Sequence, residues 1–363
     1  MKQTFALPPL AHLRRLSDDT GVQQFATHSV PNPHFGYTLD DNVRALLVTS
    51  GYYWHGVERD VAAALAYRYL GFIHWAQRPD GRFHNELSYD RRWLDEVGSE
   101  DALGRTVWAL GYAVACPLHT ASRGAAADML GRALPHVQAL RSPRARAYAA
   151  LGMAHLVRVS HPYAQEYLLA DLASSLLDDV QRNIQAEWHW FEAGLTYDNG
   201  RLPQALLIAG YLLSDQRYLS VGQELLDFLL AQVVEDGIVV PIGQSDWYWR
   251  GEIKARYDQQ PIDAASLVEV CATASIVLGK PHYWDIALSA WAWFHGCNSE
   301  GLVLYDAQTS GCHDGLERGS VNHNQGAEST LALLQAALAL NNLDWLGVSE
   351  ARQAKVSGPG SRD

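Results

Sequence analysis

Carboxylates recur in this sequence where a polar, aromatic-rich loop runs into an Ala- and Leu-rich helical stretch. Asp40 and Asp41 open one such stretch, Glu100 and Asp101 a second, Asp198 precedes a third, Asp263 opens a fourth, and Glu328 lies one turn into the last. Taken singly, an acid in that place caps free N–H groups and meets the favourable end of the helix dipole. That plainer role suits Asp263 best and Asp40 next. Carboxylates gathered at one mouth, however, repel each other unless they share protons, pair with cations or bind a ligand. Glycosidic bond cleavage uses such a set directly: one protonated acid serves the leaving oxygen and a second carboxylate acts as base or nucleophile, about 5–9.5 Å away.

The densest cluster is EWHWFEAGLTYDNGRLPQALL, from Glu187 to Leu207, with Glu192 and Asp198 among Trp188, Trp190 and Phe191. Rings suited to stacking on a pyranose face also stand in the other loops: Phe35, Tyr37, Phe83, Trp93, Trp247 and Trp249. Packing between hairpins is the competing role for each ring. Arg250 could pair with an acid or with an anionic substituent. His84 and His323, with His34, His189 and His313, lie in the same loops, and a two-histidine acid/base pair would mean sugar epimerisation instead of cleavage. The residues support Glu100 as general acid and Asp198 as base, with Asp41 and Asp101 beside them. Tyr37, Asp40, His84, Trp93, Trp190 and Glu192 are expected to contact substrate, as are Trp247, Trp249, Arg250, Asp263, His323, Gln325 and Glu328. No metal or cofactor is expected: the sequence has no HxxxH, no Walker loop, no GxGxxG after a strand and no GxSxG.

The elements that must position these residues are helical hairpins. DNVRALLVTSGYYWH is followed after Gly56 by RDVAAALAYRYLGFIHWA, and four more such pairs follow. Helices entered from a long loop begin near residues 41, 100, 144, 200, 263 and 325, a degenerate repeat of roughly 45 to 65 residues. These six are apolar almost all round, as buried inner helices are, while their partners are amphipathic, as an outer layer is. A short helix at about 9–17 can supply the sixth outer member. An open solenoid would have shorter loops and more uniform repeats. The expectation is therefore an all-α (α/α)6 toroid of six helical hairpins, one domain over 1–346 with its long loops on the active-site face, and a polar, disordered tail over 347–363.

Composition narrows the function. A formal charge of −12 with no basic run argues against nucleic acid, whose binding depends on Lys and Arg displacing counterions. No run approaches the roughly 20 apolar residues of a membrane span. The N-terminus is interrupted by Pro8 and Pro9 and makes a poor signal peptide. Cys116, Cys271, Cys297 and Cys312 show no paired spacing, and a cytoplasmic setting is expected.

YTLDDNVRALL, SEDALGRTVWALG, EWHWFEAGLTYDNGRLPQALL, QPIDAASLVE and SVNHNQGAEST resemble segments of bacterial six-hairpin toroid proteins encoded beside, or fused to, glycosyltransferases and mannoside phosphorylases. The resemblance spans about 25–342. It implies a six-hairpin glycosidase-like fold, similar in architecture to glycosidases, unsaturated glucuronyl hydrolases and N-acylglucosamine epimerases, and a mono- or oligosaccharide substrate such as a mannoside. The expected activity is an inverting glycoside hydrolase. The alternatives are a sugar epimerase or isomerase of the N-acylglucosamine epimerase type, and a non-catalytic sugar-binding accessory domain of a glycosyltransferase system.

Overall fold

The structure is a computed structural model that describes residues 5–341. The tail expected from 347, and the domain end at 346, lie outside the described residues. Six inner helices follow the sequence pattern: α2 (Leu39–His55), α4 (Glu100–Ala115), α6 (Pro143–Arg158), α8 (Arg201–Leu213), α10 (Pro261–Val277) and α12 (Ala327–Asn341). Each starts within two residues of the expected position. Five are followed by outer partners: α3 (Arg59–Ala76), α5 (Thr120–Ala133), α7 (Glu166–Asn183), α9 (Gln216–Val233) and α11 (His282–Trp293). Each inner helix packs on the next, and α12 packs on α2, so the inner ring closes. The chain is an (α/α)6 toroid.

The sixth outer position is taken by α1 (Ala11–Leu16), which packs on α12. Such a short helix is marginal alone. Its neighbours hold it by specific bonds: the buried His12 Nε2 meets the Gln325 carbonyl at 2.8 Å, and Tyr52 OH donates to the Pro8 carbonyl at 2.6 Å. The Phe5 amide donates to Asn341 Oδ1 at 2.9 Å, which fastens the N-terminal segment to the last inner helix.

Inner helices must approach closely to leave a compact ring, and α4 and α6 do so through small residues. A Cβ at Gly111 would sit 2.5 Å from the Gly152 carbonyl oxygen, and one at Gly152 only 2.4 Å from that of Val107. Any side chain at either position would push the two helices apart.

On the site face the loops are joined by short antiparallel ladders. Tyr37-Thr38 pairs with Glu86-Leu87, which ties the loop entering α2 to the loop before α4. Gly194-Leu195 pairs with Tyr248-Trp249, which ties the loop entering α8 to the loop before α10. The strand-like character of the segment after α9 is therefore real but local. Among the described residues no helix is long and apolar enough to cross a membrane. Cys116, Cys271 and Cys312 are buried in the core and form no disulfide among the described residues.

Candidate active site

The helix starts bring their acids to one face, but not into one open pocket. They divide into a buried network at the centre of the ring and a cavity beside it.

In the buried network, Asp198 is fully buried and sits between two arginines, with Arg201 Nε at 3.1 Å and Arg105 Nη1 at 3.2 Å, while Tyr148 OH donates to it at 2.6 Å. Burial pushes its carboxyl up, but Arg201 and Arg105 outweigh burial and hold it below the ordinary carboxylate range. Arg201 also clasps Glu269, with Nη1 and Nη2 each 2.6 Å from one carboxylate oxygen. Asp263 accepts the Asp198 backbone N–H at 2.7 Å. Burial, then the charge on Asp198, pushes the Asp263 carboxyl well up. It lies in the first turn of α10, inside the helix that it was expected to cap. None of these groups lines the cavity.

Other expected residues also lie outside the cavity lining and make contacts within the fold. Glu100 Oε2 accepts the backbone N–H groups of Arg141 at 2.7 Å and Ser142 at 2.6 Å, latching α4 to the loop that enters α6. Asp101 accepts from Ser142 Oγ at 2.8 Å and from Tyr197 OH. Glu192 is bound by Arg144 Nη1 at 2.5 Å. Trp190 is completely buried against Phe191 and Phe228. Trp93 stacks on His84 with ring centres 4.9 Å apart, and His84 Nδ1 meets the Asp95 carbonyl. Tyr37 is buried and donates its OH to Asp18. Trp249 is exposed and covers Gly194, Trp247 is half-buried 6.4 Å from Tyr197, and Arg250 donates to the Asn183 carbonyl at 3.1 Å. Gln325 is buried between Thr309 and Asp306. His323 is exposed between the rings of His28 and His313.

Because Glu100 holds two backbone donors, Glu100→Gln should leave any turnover within about twofold of wild type, yet destabilise the fold by about 1–3 kcal/mol, as weakening charged hydrogen bonds does. Parallel rate and urea-denaturation measurements check this. A rate loss of a hundredfold would restore Glu100 to the chemistry.

The cavity has a volume of about 750 Å³ and gathers three of the expected residues, Asp40, Asp41 and Glu328. They converge on Arg44, buried in α2: Nη1 lies 2.7 Å from Glu328 Oε2 and 3.3 Å from Asp41 Oδ1, and Nη2 lies 3.4 Å from Asp40 Oδ2. Thr38, the N-cap of α2, accepts the Asp41 N–H at 3.1 Å and donates its hydroxyl to Asp41 Oδ2 at 2.7 Å. Burial, joined by the charges of Glu328 and Asp40, pushes Asp41 up to about 7 against the opposing pull of Arg44 and Thr38. Glu328 is 47% exposed. One carboxyl at the cavity wall therefore keeps its proton near neutrality, and a second stands accessible beside it on the same guanidinium.

The rest of the wall is polar with one aromatic edge. Phe25 and Phe35 meet edge to face, centroids 4.9 Å apart, and both are exposed. Gln24, Gln244 and Gln260 line the cavity with no side-chain hydrogen bond among the described residues, which leaves their amides free for hydroxyl groups. Asp258 and Asp314 come from the loops before α10 and α12, and Glu86 from the loop before α4. Sequence reasoning missed Arg44, Asp258, Asp314, Glu86 and the glutamines. Arg44 alone had a usable signal: a lone arginine in an otherwise apolar inner helix has to be paired, and its partners mark the acids that matter.

No protein-family model matches the chain, and no curated protein sequence matches it. Solved structures do match its fold. A D-mannose isomerase is 12% identical, covering 91% of this chain and 94% of its own, with a TM-score of 0.72. The cellobiose 2-epimerase of Bacillus thermoamylovorans is 12% identical over 91% of this chain and 94% of its own, at a TM-score of 0.70. An alpha-1,6-mannanase of Salegentibacter, also 12% identical, covers 91% of this chain and 96% of its own at 0.60. The fold is that of the six-hairpin glycosidase-like toroids. At this identity the likeness fixes the architecture and leaves the reaction to the site.

Proposed function

We propose that the protein is a carbohydrate-active enzyme that hydrolyses a glycosidic bond in a mannose-containing saccharide, with Asp41 as general acid and Glu328 as base or nucleophile. The carrying observation is the pairing itself: a buried carboxyl that retains its proton up to about 7 beside an accessible carboxylate, both on Arg44, in a cavity large enough for sugar rings. The sugar class is supported by the mannose isomerase and mannanase among the structural neighbours. The solved mannanase is an inactive variant in which two consecutive aspartates are replaced by asparagine, in complex with alpha-1,6-mannotriose; Asp40 and Asp41 are consecutive here.

Two oxygens at 2.7 and 3.3 Å from one nitrogen are at most about 6 Å apart. Retaining enzymes hold their carboxyls about 5–5.5 Å apart and inverting ones about 6.5–9.5 Å. The separation thus supports retention over the inversion expected from sequence. Incubation with manno-oligosaccharides, with the first-formed product anomer read by NMR, tests both points. Retained configuration is expected, with turnover falling above about pH 7 as Asp41 loses its proton. No cleavage of any manno- or gluco-oligosaccharide would remove the proposal.

Epimerisation is the second reading, favoured by the isomerase and epimerase neighbours and by His313 and His323, whose rings lie 5.7 Å apart next to the cavity residues Asp314, Asn322 and Asn324. Among the described residues, no histidine lines the cavity. Interconversion of free mannose with its isomers, abolished in His323→Ala, would establish it.

A further inference from the structure

The charge of the cavity wall carries a conclusion about the substrate that the catalytic pair alone does not. Asp40, Asp41, Glu86, Asp258, Asp314 and Glu328 all line it, and the only cation among the described lining residues is Arg44. That guanidinium is already shared among Asp40, Asp41 and Glu328. Apart from Asp41, the wall holds five further carboxyl groups against that one guanidinium.

The helix N-termini at the cavity offer an anion few donors, and the free side-chain donors are the neutral amides of Gln24, Gln244 and Gln260. Helix N-termini are ready-made phosphate sites when their N–H groups are free. At α2 Thr38 already accepts the Asp41 N–H; at α12 the Gly326 N–H donates to Asp314 Oδ1 at 2.7 Å; and α10 begins with Pro261, which has no N–H. Two carboxylates, by contrast, have no side-chain partner among the described residues. Glu86 is exposed. Asp258 is half-buried, stands beside Gly315 and Gln260, and is pushed up by burial and by the charge on Glu317. An ammonium group placed there would gain a charge-assisted hydrogen bond and relieve that repulsion. A carboxylate or phosphate would meet like charge inside walls that concentrate the field.

We infer that the cavity sorts sugars by charge: of sugars with one shape it binds the ammonium form most tightly, the neutral form next and the anionic form least, and it does not take inorganic phosphate. This rests on the reading of the cavity as a saccharide site. It limits the acceptor of any transfer reaction to water or a sugar hydroxyl, and it places uronates and sugar phosphates outside the substrate class.

Calorimetric titration of the whole protein with mannosamine, mannose, mannuronate and inorganic phosphate at about pH 6, where the amine is charged, tests the order. Mannosamine should bind about tenfold tighter than mannose. The gap should shrink at high salt, since half-exposed charges are screened. Asp258→Asn should narrow it to about twofold, while Asp258→Glu keeps most of it. Mannuronate or phosphate binding as tightly as mannose would overturn the inference and leave the sugar reading standing, as would equal affinity for mannose and mannosamine. Failure of mannose and mannosamine alike to bind would overturn both.

Discussion

Asp41→Asn and Glu328→Gln should each lower turnover by about a hundred- to ten-thousandfold, the range that a positioned proton donor or acceptor contributes. The two variants differ in what else they should do, and that difference separates chemistry from structure. The Asp41 carboxyl has an ordinary value of 3.8 and is pushed up to about 7 in the fold, chiefly by burial. Between those values the unfolded chain gives up a proton that the native protein keeps, so Asp41 weakens the fold as pH rises through that window. Asparagine has no such proton. Asp41→Asn should therefore lose activity while being at least as stable as wild type at about pH 8, with a flatter stability profile across the window. Glu328 is half exposed, and Glu328→Gln leaves Arg44 with Asp40 and Asp41, so thermal stability should change by less than about 1 kcal/mol. Turnover within tenfold of wild type in both variants would remove this pair from the mechanism.

Arg201→Met should produce the largest stability loss. Arg201 is essentially inaccessible, and its guanidinium is the main counter-charge of two carboxylates that are themselves buried, Asp198 and Glu269. Removing one partner of a buried ion pair destabilises by about 3–5 kcal/mol, because an uncompensated charge stays in a low dielectric. Lysine should recover only part of this, since an ammonium cannot reproduce the forked contact with Glu269. The deficit should also shrink as pH falls, because stranded carboxylates can be neutralised by protonation. Urea denaturation of both variants at about pH 5 and pH 8 measures it; a midpoint unchanged from wild type would show that the network tolerates the loss.

The ring of hairpins was legible because its signals are local. Ala- and Leu-rich inner helices, amphipathic outer ones and long loops on alternate turns each leave a pattern within a window of twenty or so residues. The site was legible only in part, because what an acid does depends on its partner across the ring. Asp41 and Glu100 look alike in sequence, each beside another acid in the first turn of an inner helix, with Thr38 and Ser99 as the caps. Tertiary contact separates them: Glu100 reaches sideways to the Arg141 and Ser142 amides, while Asp41 meets Arg44 and the cavity. The aromatic signal misled for a related reason. Trp190 sits in the densest acid-aromatic cluster of the chain, yet that loop folds inward and the ring closes the core against Phe228. The rings that do face the cavity, Phe25 and Phe35, come from the loop between α1 and α2, which has no tryptophan in it, and of the two the sequence reading offered only Phe35.

The contact between Arg44 and Glu328 joins the first inner helix to the last, across a sequence separation of 284 positions, from 44 to 328. The proposed acid and its partner therefore cannot meet until α12 has docked against α2. Contacts between such distant segments form late, since the chain has to close its longest loop before they reward it. During synthesis, five hairpins could be in place while the cavity still lacked a wall. Activity should then report completion of the circle itself: in refolding experiments it should recover with the slowest phase, behind the helical signal.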